Sequence, residues 1–127
     1  MRLKIKRAYE PAAKSDGRRI LIDRLWPRGL TRDVAGIDEW AKDLSPSTAL
    51  RRWFNHDPKL WAEFVDRYRE ELSAPAARLA LGRLRTLASS RQVTLVYAAS
   101  NREYNNAVAL CTILDGMAAP RRKGKPC

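Results

Sequence analysis

The chain has 127 residues, of which 45% are hydrophobic and 31% are charged, and its formal net charge is +11. This length is typical of one domain, and the hydrophobic fraction is large enough for a packed core, which excludes an intrinsically disordered chain. No apolar run approaches the roughly 20 residues that a transmembrane helix needs, which argues against a membrane protein.

The N-terminal sequence and the number of cysteines indicate the cellular compartment, and the C-terminal sequence indicates where the domain ends. The first eleven residues, MRLKIKRAYEP, lack the continuous apolar stretch of a secretion signal. Two cysteines are too few for a disulfide framework. We therefore expect a cytoplasmic protein with a single domain over residues 1–119. Residues 120–127 contain only proline, glycine, cysteine and basic residues, and they predict a disordered basic tail.

The first third of the chain predicts two strands. Residues 2–9 alternate in polarity, with Leu3 and Ile5 on one face, and this pattern predicts a strand near an edge. The Ser-Asp-Gly sequence at 15–17 predicts a turn. Residues 19–26 are apolar on both faces for most of their length, which is typical of a central strand covered on both sides.

The middle of the chain predicts helices. Residues 37–44 carry apolar side chains at the i, i+3, i+4, i+7 spacing of a helix. Ser45-Pro46 and Asp57-Pro58 each combine a favoured N-cap with a proline at the first helical position, and each predicts the start of another helix. A further helix is predicted over 76–90, with its apolar residues on one face.

The last third predicts a strand followed by a helix. Residues 93–99, VTLVYAA, form the second central strand. Ser100 and Glu103 match the S-x-x-E capping box, so we expect a helix to begin there and to end near Gly116. The whole order predicts an α/β fold with a small three-stranded, mostly parallel sheet flanked by about five helices. The direction of the first strand stays open, because its link to the second is near the minimum length for a parallel crossover.

Four segments carry a family resemblance. They are Asp16-Gly17-Arg18-Arg19, DRLWPRGL at 23–30, LSPSTALRRWFNHDP at 44–58 and TLVYAASNREYNNAVAL at 94–110. Together they resemble the YeaO-like family, which belongs to the domain-of-unknown-function group 488, over roughly residues 3–115. The resemblance implies a compact bacterial α/β protein, and it implies no particular activity.

Polar side chains gather where the predicted strands end. Ligands of open α/β sheets bind beyond the carboxyl ends of parallel strands, so these residues predict a binding pocket. The group comprises Arg7, Tyr9, Asp23, Arg24, Tyr97, Asn101, Arg102, Asn105 and Asn106. The alternative is structural: Asp23 would form an internal ion pair with Arg7 or Arg24, and the remaining polar groups would serve ordinary helix capping.

Two further segments allow both a functional and a structural interpretation. Arg28 follows Trp26 in DRLWPRG, and this pair could bind an anion and stack on a ring, or Trp26 could belong to the core. His56 is the only histidine, and it could act as a general base or hold a helical corner by hydrogen bonds. Asp57 is more simply an N-cap than a catalytic acid.

The sequence carries no metal or cofactor motif. One histidine and two distant cysteines do not provide zinc-ligand spacing, so we expect no metal site. There is no glycine-rich phosphate loop and no G-x-S-x-G elbow, and we expect no cofactor.

Two functional hypotheses follow. In the first, an anionic small molecule, with nucleotides among the candidates, binds at the strand ends, and Asp23 and Tyr97 transfer protons if the protein is an enzyme. In the second, basic helices and the tail bind nucleic acid without sequence specificity. The helical residues concerned are Arg51, Arg52, Arg67, Arg69, Arg78, Arg83 and Arg85. The strand-end residues converge whereas the helical arginines are scattered, so the sequence favours the first hypothesis.

Overall fold

The structure, a computed structural model, describes residues 1–117 and contains one four-stranded sheet. Its strands are β1 (Leu3–Arg7), β2 (Arg18–Leu21), β3 (Glu39–Trp40) and β4 (Val93–Tyr97). The order across the sheet is β1-β4-β2-β3, and every neighbouring pair is parallel. All four carboxyl ends therefore lie at one edge of the sheet, which settles the direction of the first strand. The predicted tail at 120–127 lies outside the described residues.

The prediction of three strands and of a helix over 37–44 was wrong. Residues 38–41 run beside β2, where the amides of Asp38 and Ala41 donate to the carbonyls of Arg19 and Leu21. Only Lys42–Leu44 forms a single 3₁₀ turn. The apolar spacing is real, but pairing with the open edge of β2 satisfies the backbone of 38–41 and outweighs the local helical pattern.

In the described part of the chain, residues 1–117, five α-helices surround the sheet. They are α1 (Arg32–Ala35), α2 (Thr48–Phe54), α3 (Trp61–Glu71), α4 (Pro75–Ser90) and α5 (Asn106–Met117). The sequence did not predict α1, which joins β2 to β3. The N-cap of α2 is Ser47, whose hydroxyl accepts from the Leu50 amide at 3.1 Å, and not Ser45 as predicted. Asp57 does cap the 3₁₀ turn that precedes α3, as predicted.

The core has two parts, one on each face of the sheet. On one face, Ile20 and Leu95 pack against residues of α2, α3, α4 and α5. On the other, Leu21 and Val96 pack with Ala35 and with neighbouring residues of the segments around α1. β4 is buried along its whole length because helices or loops cover both of its faces. Within residues 1–117, the helices are all too short or too polar to cross a bilayer.

Candidate functional site

A cleft of about 500 Å³ lies at the carboxyl ends of β2 and β4. One wall is the segment after β2, the opposite wall is α2 with the turn that follows it, and the start of α5 closes one end. The lining residues are Asp23, Leu25, Pro46, Thr48, Arg51, Arg52, Phe54, Asn55, His56, Phe64, Ala98, Ala99 and Asn106. This position is the one in which parallel α/β sheets bind ligands.

Asp23 ties the two central strands to α5. One carboxylate oxygen accepts from the Ala98 amide at 2.8 Å, and the other accepts from the Asn106 side-chain amide at 2.9 Å. The same Asn106 nitrogen donates to the Ile22 carbonyl at 3.0 Å. Burial raises the pKa of Asp23, although these two donors and the charge of Arg51 act against that rise. Asp23 is therefore a half-buried carboxyl group that borders the cleft.

Two arginines of α2 border the opposite side. Arg51 and Arg52 are both exposed. Their guanidinium groups donate no hydrogen bond and form no ion pair within residues 1–117. A guanidinium with five donors and no protein partner is well suited to a planar or tetrahedral oxyanion.

The turn after α2 has an unusual backbone. Asn55 and His56 have φ values of 46° and 56°, so two consecutive residues other than glycine lie in the left-handed region. Nδ1 of His56 lies 2.7 Å from the Tyr104 carbonyl oxygen. Since a carbonyl only accepts, Nδ1 carries a proton and donates to this oxygen. Strained backbone of this kind is concentrated at functional sites, and here it lines the cleft.

Several residues of the sequence hypothesis serve the fold instead. Arg7 donates through Nε to the Ala99 carbonyl at 2.8 Å and through a terminal nitrogen to the Ala98 carbonyl at 3.2 Å. Arg24 lies 3.3 and 3.4 Å from the carbonyl oxygens of Pro46 and Ser45. Neither arginine lines the cleft. Both donate to backbone carbonyls of residues that line the cleft or lie next to it.

The aromatic candidates also lie away from the cleft. Tyr97 is buried in the core, and this burial raises its pKa. Trp26 packs edge-on against Trp40 and donates to the Leu30 carbonyl. Tyr9 donates to the backbone carbonyl of Arg28, whose own side chain is exposed. Of the three catalytic candidates, the cleft therefore brings together Asp23 and His56 and leaves out Tyr97.

The predicted capping box at Ser100 is not formed, and α5 begins at Asn106. Asparagines organise the loop instead. The side-chain oxygen of Asn101 accepts from the amides of Glu103 and Tyr104, both at 2.9 Å. The side-chain oxygen of Asn105 accepts from the Val108 amide at 2.9 Å, so Asn105 is the N-cap of α5. Arg102 consequently lies outside the first turn of α5 and pairs with Glu10.

Replacing Asn105 with alanine should lower the free energy of unfolding by about 0.5–2 kcal/mol, because it removes this cap. Asn105 is fully buried, and its amide also donates to the Asn101 carbonyl at 2.9 Å. Urea unfolding would measure the loss. Unchanged stability together with weaker phosphate binding would return Asn105 to the ligand-contacting role that the sequence hypothesis gave it.

The sequence hypothesis for the pocket did not include most of the α2 wall. Arg51 and Arg52 were assigned to the nucleic-acid hypothesis, and Leu25 and Asn55 were assigned no role. The available signal was the segment RRWFNHDP, in which two arginines precede the strained Asn55-His56 pair. Within residues 1–117, no three His, Cys, Asp or Glu side chains are grouped in a way that could hold a metal ion.

A family model and curated relatives assign the chain to the same family of proteins. A family model described as the inactive DUF488-N3 subclade matches residues 2–126. Uncharacterized protein YeaO of Escherichia coli is 41% identical over 110 residues, which cover 87% of this chain and 94% of that protein. Uncharacterized protein Rv3073c of Mycobacterium tuberculosis is 39% identical over 115 residues, covering 91% of this chain and 95% of that protein. No solved structure matches significantly.

Proposed function

Because this chain belongs to the inactive DUF488-N3 subclade of the YeaO-like proteins, we propose that it acts by binding a small anionic ligand and not by catalysing a reaction. The ligand occupies the cleft at the carboxyl ends of β2 and β4. The observation that carries this proposal is the pair of arginines, Arg51 and Arg52, which form no hydrogen bond or ion pair through their guanidinium groups within residues 1–117 and border a cleft at the strand ends. We continue to expect this protein in the cytoplasm.

The size and the composition of the cleft support a small molecule. Its volume of about 500 Å³ falls within the range of roughly 300–1,000 Å³ that is usual for ligand pockets. Apolar side chains such as Leu25 and Phe54 line it together with a few polar groups. This mixture is the usual one in small-molecule sites, where polar groups fix the orientation of the ligand.

The charges that line the cleft favour the α2 side for the anion. Arg51 and Arg52 contribute two positive charges there. Asp23 would repel an anion on the opposite side. The net charge of +11 favours the approach of anions to the protein in general.

Alanine at Arg51 or at Arg52 should each lower the affinity for inorganic phosphate about tenfold or more, since a hydrogen bond to a charged group contributes roughly 1.5–3 kcal/mol. Isothermal titration calorimetry and amide chemical shifts would measure binding. The matched control is Arg78→Ala on α4, which removes the same charge from an exposed site elsewhere. Equal losses for Arg51→Ala and Arg78→Ala, or no phosphate binding at all, would contradict the proposal.

A second candidate, nonspecific nucleic-acid binding, is favoured by α4. This helix contains Arg78, Arg83 and Arg85 and no acidic residue, and Arg78 and Arg83 line a shallow groove on its surface. If nucleic acid is the partner, fluorescence anisotropy with single-stranded DNA will show a steep salt dependence that Arg78→Ala/Arg83→Ala reduces. We prefer the cleft because residues of several elements converge there, whereas the groove presents a single helix.

A further inference from the structure

The cleft has opposite charges on its two sides. Asp23 lies on the β2 side, and Arg51 and Arg52 lie on the α2 side. A ligand that is anionic over its whole surface, such as inorganic phosphate, can satisfy the arginines and leaves Asp23 unused. The proposed anion site therefore accounts for only half of the cleft.

Asp23 has unused hydrogen-bonding capacity. An ionised carboxylate can accept about four hydrogen bonds, and this one accepts one on each oxygen, from Ala98 and Asn106. Within residues 1–117 no cationic group lies within ion-pair distance of it. Asp23 is half-buried and lines the cleft, so the hydroxyl group of a ligand bound there is a suitable donor to its remaining lone pairs.

We propose that the ligand is a pentose phosphate, whose sugar hydroxyls donate to Asp23 while its phosphate binds Arg51 and Arg52. This inference rests on the proposed function. Free sugar phosphates and nucleoside monophosphates share this chemistry. A metal cation is disfavoured because Asp23 is a single carboxylate with no cluster of further ligands among the described residues. An organic cation is disfavoured because it would lie next to the two arginines.

The apolar part of the cleft fits the carbon skeleton of such a ligand. Leu25 is 67% exposed on the loop after β2, although it is a large hydrophobic residue, and it lines the cleft together with Pro46. A pentose presents hydroxyls along one side and carbon-bound hydrogens along the other. Covering those hydrogens would remove the Leu25 side chain from water and add to the binding energy.

The test compares ribose 5-phosphate with inorganic phosphate on the same variants by isothermal titration calorimetry. We expect the wild-type protein to bind ribose 5-phosphate at least tenfold more tightly. Asp23→Asn should remove that advantage and leave the affinity for inorganic phosphate equal or higher, because it also removes a negative charge. Arg51→Ala should weaken both ligands, and the control Arg78→Ala should weaken neither by more than about twofold.

Ligand analogues keep the test decisive if Asp23→Asn fails to fold. At least one of two analogues should bind the wild-type protein more weakly than ribose 5-phosphate does: 2-deoxyribose 5-phosphate, which lacks the 2-hydroxyl, or 1,4-anhydroribitol 5-phosphate, which lacks the anomeric hydroxyl. Equal affinity for all three compounds would contradict the inference. Adenosine 5′-monophosphate distinguishes the two sources of the pentose phosphate: tighter binding than ribose 5-phosphate indicates a nucleotide, and weaker binding a free sugar phosphate.

Two other results would also overturn this inference while leaving the proposed function intact. One is equal affinity for ribose 5-phosphate and inorganic phosphate in the wild-type protein. The other is an equal effect of Asp23→Asn on both ligands. If neither ligand binds, the proposed function fails as well, so the two failures are distinguishable.

Discussion

Replacing Asp16 with alanine is expected to lower the free energy of unfolding by about 3–5 kcal/mol, because it leaves buried positive charge without a partner. Asp16 is fully buried, and Arg19, which donates to it at 2.7 Å, is only 3% exposed. Lys4 and Lys6 each approach the same carboxylate to 2.9 Å, and the amide of Ala13 donates to it at 2.9 Å. Urea unfolding at neutral pH would measure the loss.

The same group predicts how stability depends on pH. Burial alone would raise the pKa of Asp16, but hydrogen bonds from Lys4, Ala13, Lys6 and Arg19 outweigh it and leave the pKa well below its ordinary value. For a carboxyl group whose pKa is lower in the folded state, stability is present above its unfolded pKa of about 3.9 and is lost as the pH falls. The unfolding free energy of the wild-type protein should therefore decrease below about pH 4, and Asp16→Ala should reduce that slope.

Asp66→Ala is the control for Asp16→Ala. Asp66 pairs with Arg69 at 2.8 Å, but its side chain is 73% exposed, so its loss should cost about 1 kcal/mol at most. Similar losses for the two variants would mean that the Asp16 cluster is no more important than a surface ion pair. An unchanged acid slope in Asp16→Ala would assign the pH dependence to other carboxyl groups.

Replacing Phe64 with alanine should also cost about 3–5 kcal/mol, because it opens a cavity in an aromatic cluster. Phe64 is 2% exposed and stacks on Phe54 with a centroid distance of 4.1 Å and an interplanar angle of 14°. Trp61 and Tyr68 lie on either side of it, with centroid distances of 5.8 and 5.9 Å. Denaturant unfolding followed by tryptophan fluorescence would measure the change.

Two comparisons make the Phe64 result interpretable. Phe64→Leu keeps most of the volume and should cost clearly less than the alanine variant. Trp53→Ala should also cost less, because Trp53 is only half-buried and is covered by Arg67, whose guanidinium carbon lies 4.1 Å from the ring centroid. The spacing of Leu50, Trp53 and Phe54 in the sequence predicts that all three side chains are buried in one helix face, but Trp53 is not fully buried. A nearly neutral Phe64→Ala would contradict the packing described.

The elements that could be predicted from the sequence are those whose signal is local. The helices α3 and α4 lie close to their predicted positions because a helix of eleven residues or more repeats its apolar face several times. β4 was recognised because strands buried on both faces are continuously apolar. In contrast, β3 contains two residues, too few for any period, and it exists only because it pairs with β2.

The site was predicted in part for a related reason. The strand-end rule depends only on chain order, and Asp23, which it selects, lines the cleft. The rule cannot distinguish strand-end side chains that are free to bind a ligand from those that stabilise the fold. Arg7 belongs to the second group, because it donates to the carbonyls of Ala98 and Ala99. The position of α2 opposite Asp23 depends on tertiary packing, so the contribution of Arg51 to the cleft could not be read from its spacing in the sequence.

The sheet order has a consequence for synthesis on the ribosome. β1 and β2 are made early, but neither pairs with the other, since β4 lies between them. Until residues 93–97 emerge from the exit tunnel, the nascent chain carries two strands with unsatisfied edges and no central partner. The sheet can therefore assemble only after residue 97 has been translated and has left the tunnel, and until then β1 and β2 are held apart without the strand that joins them.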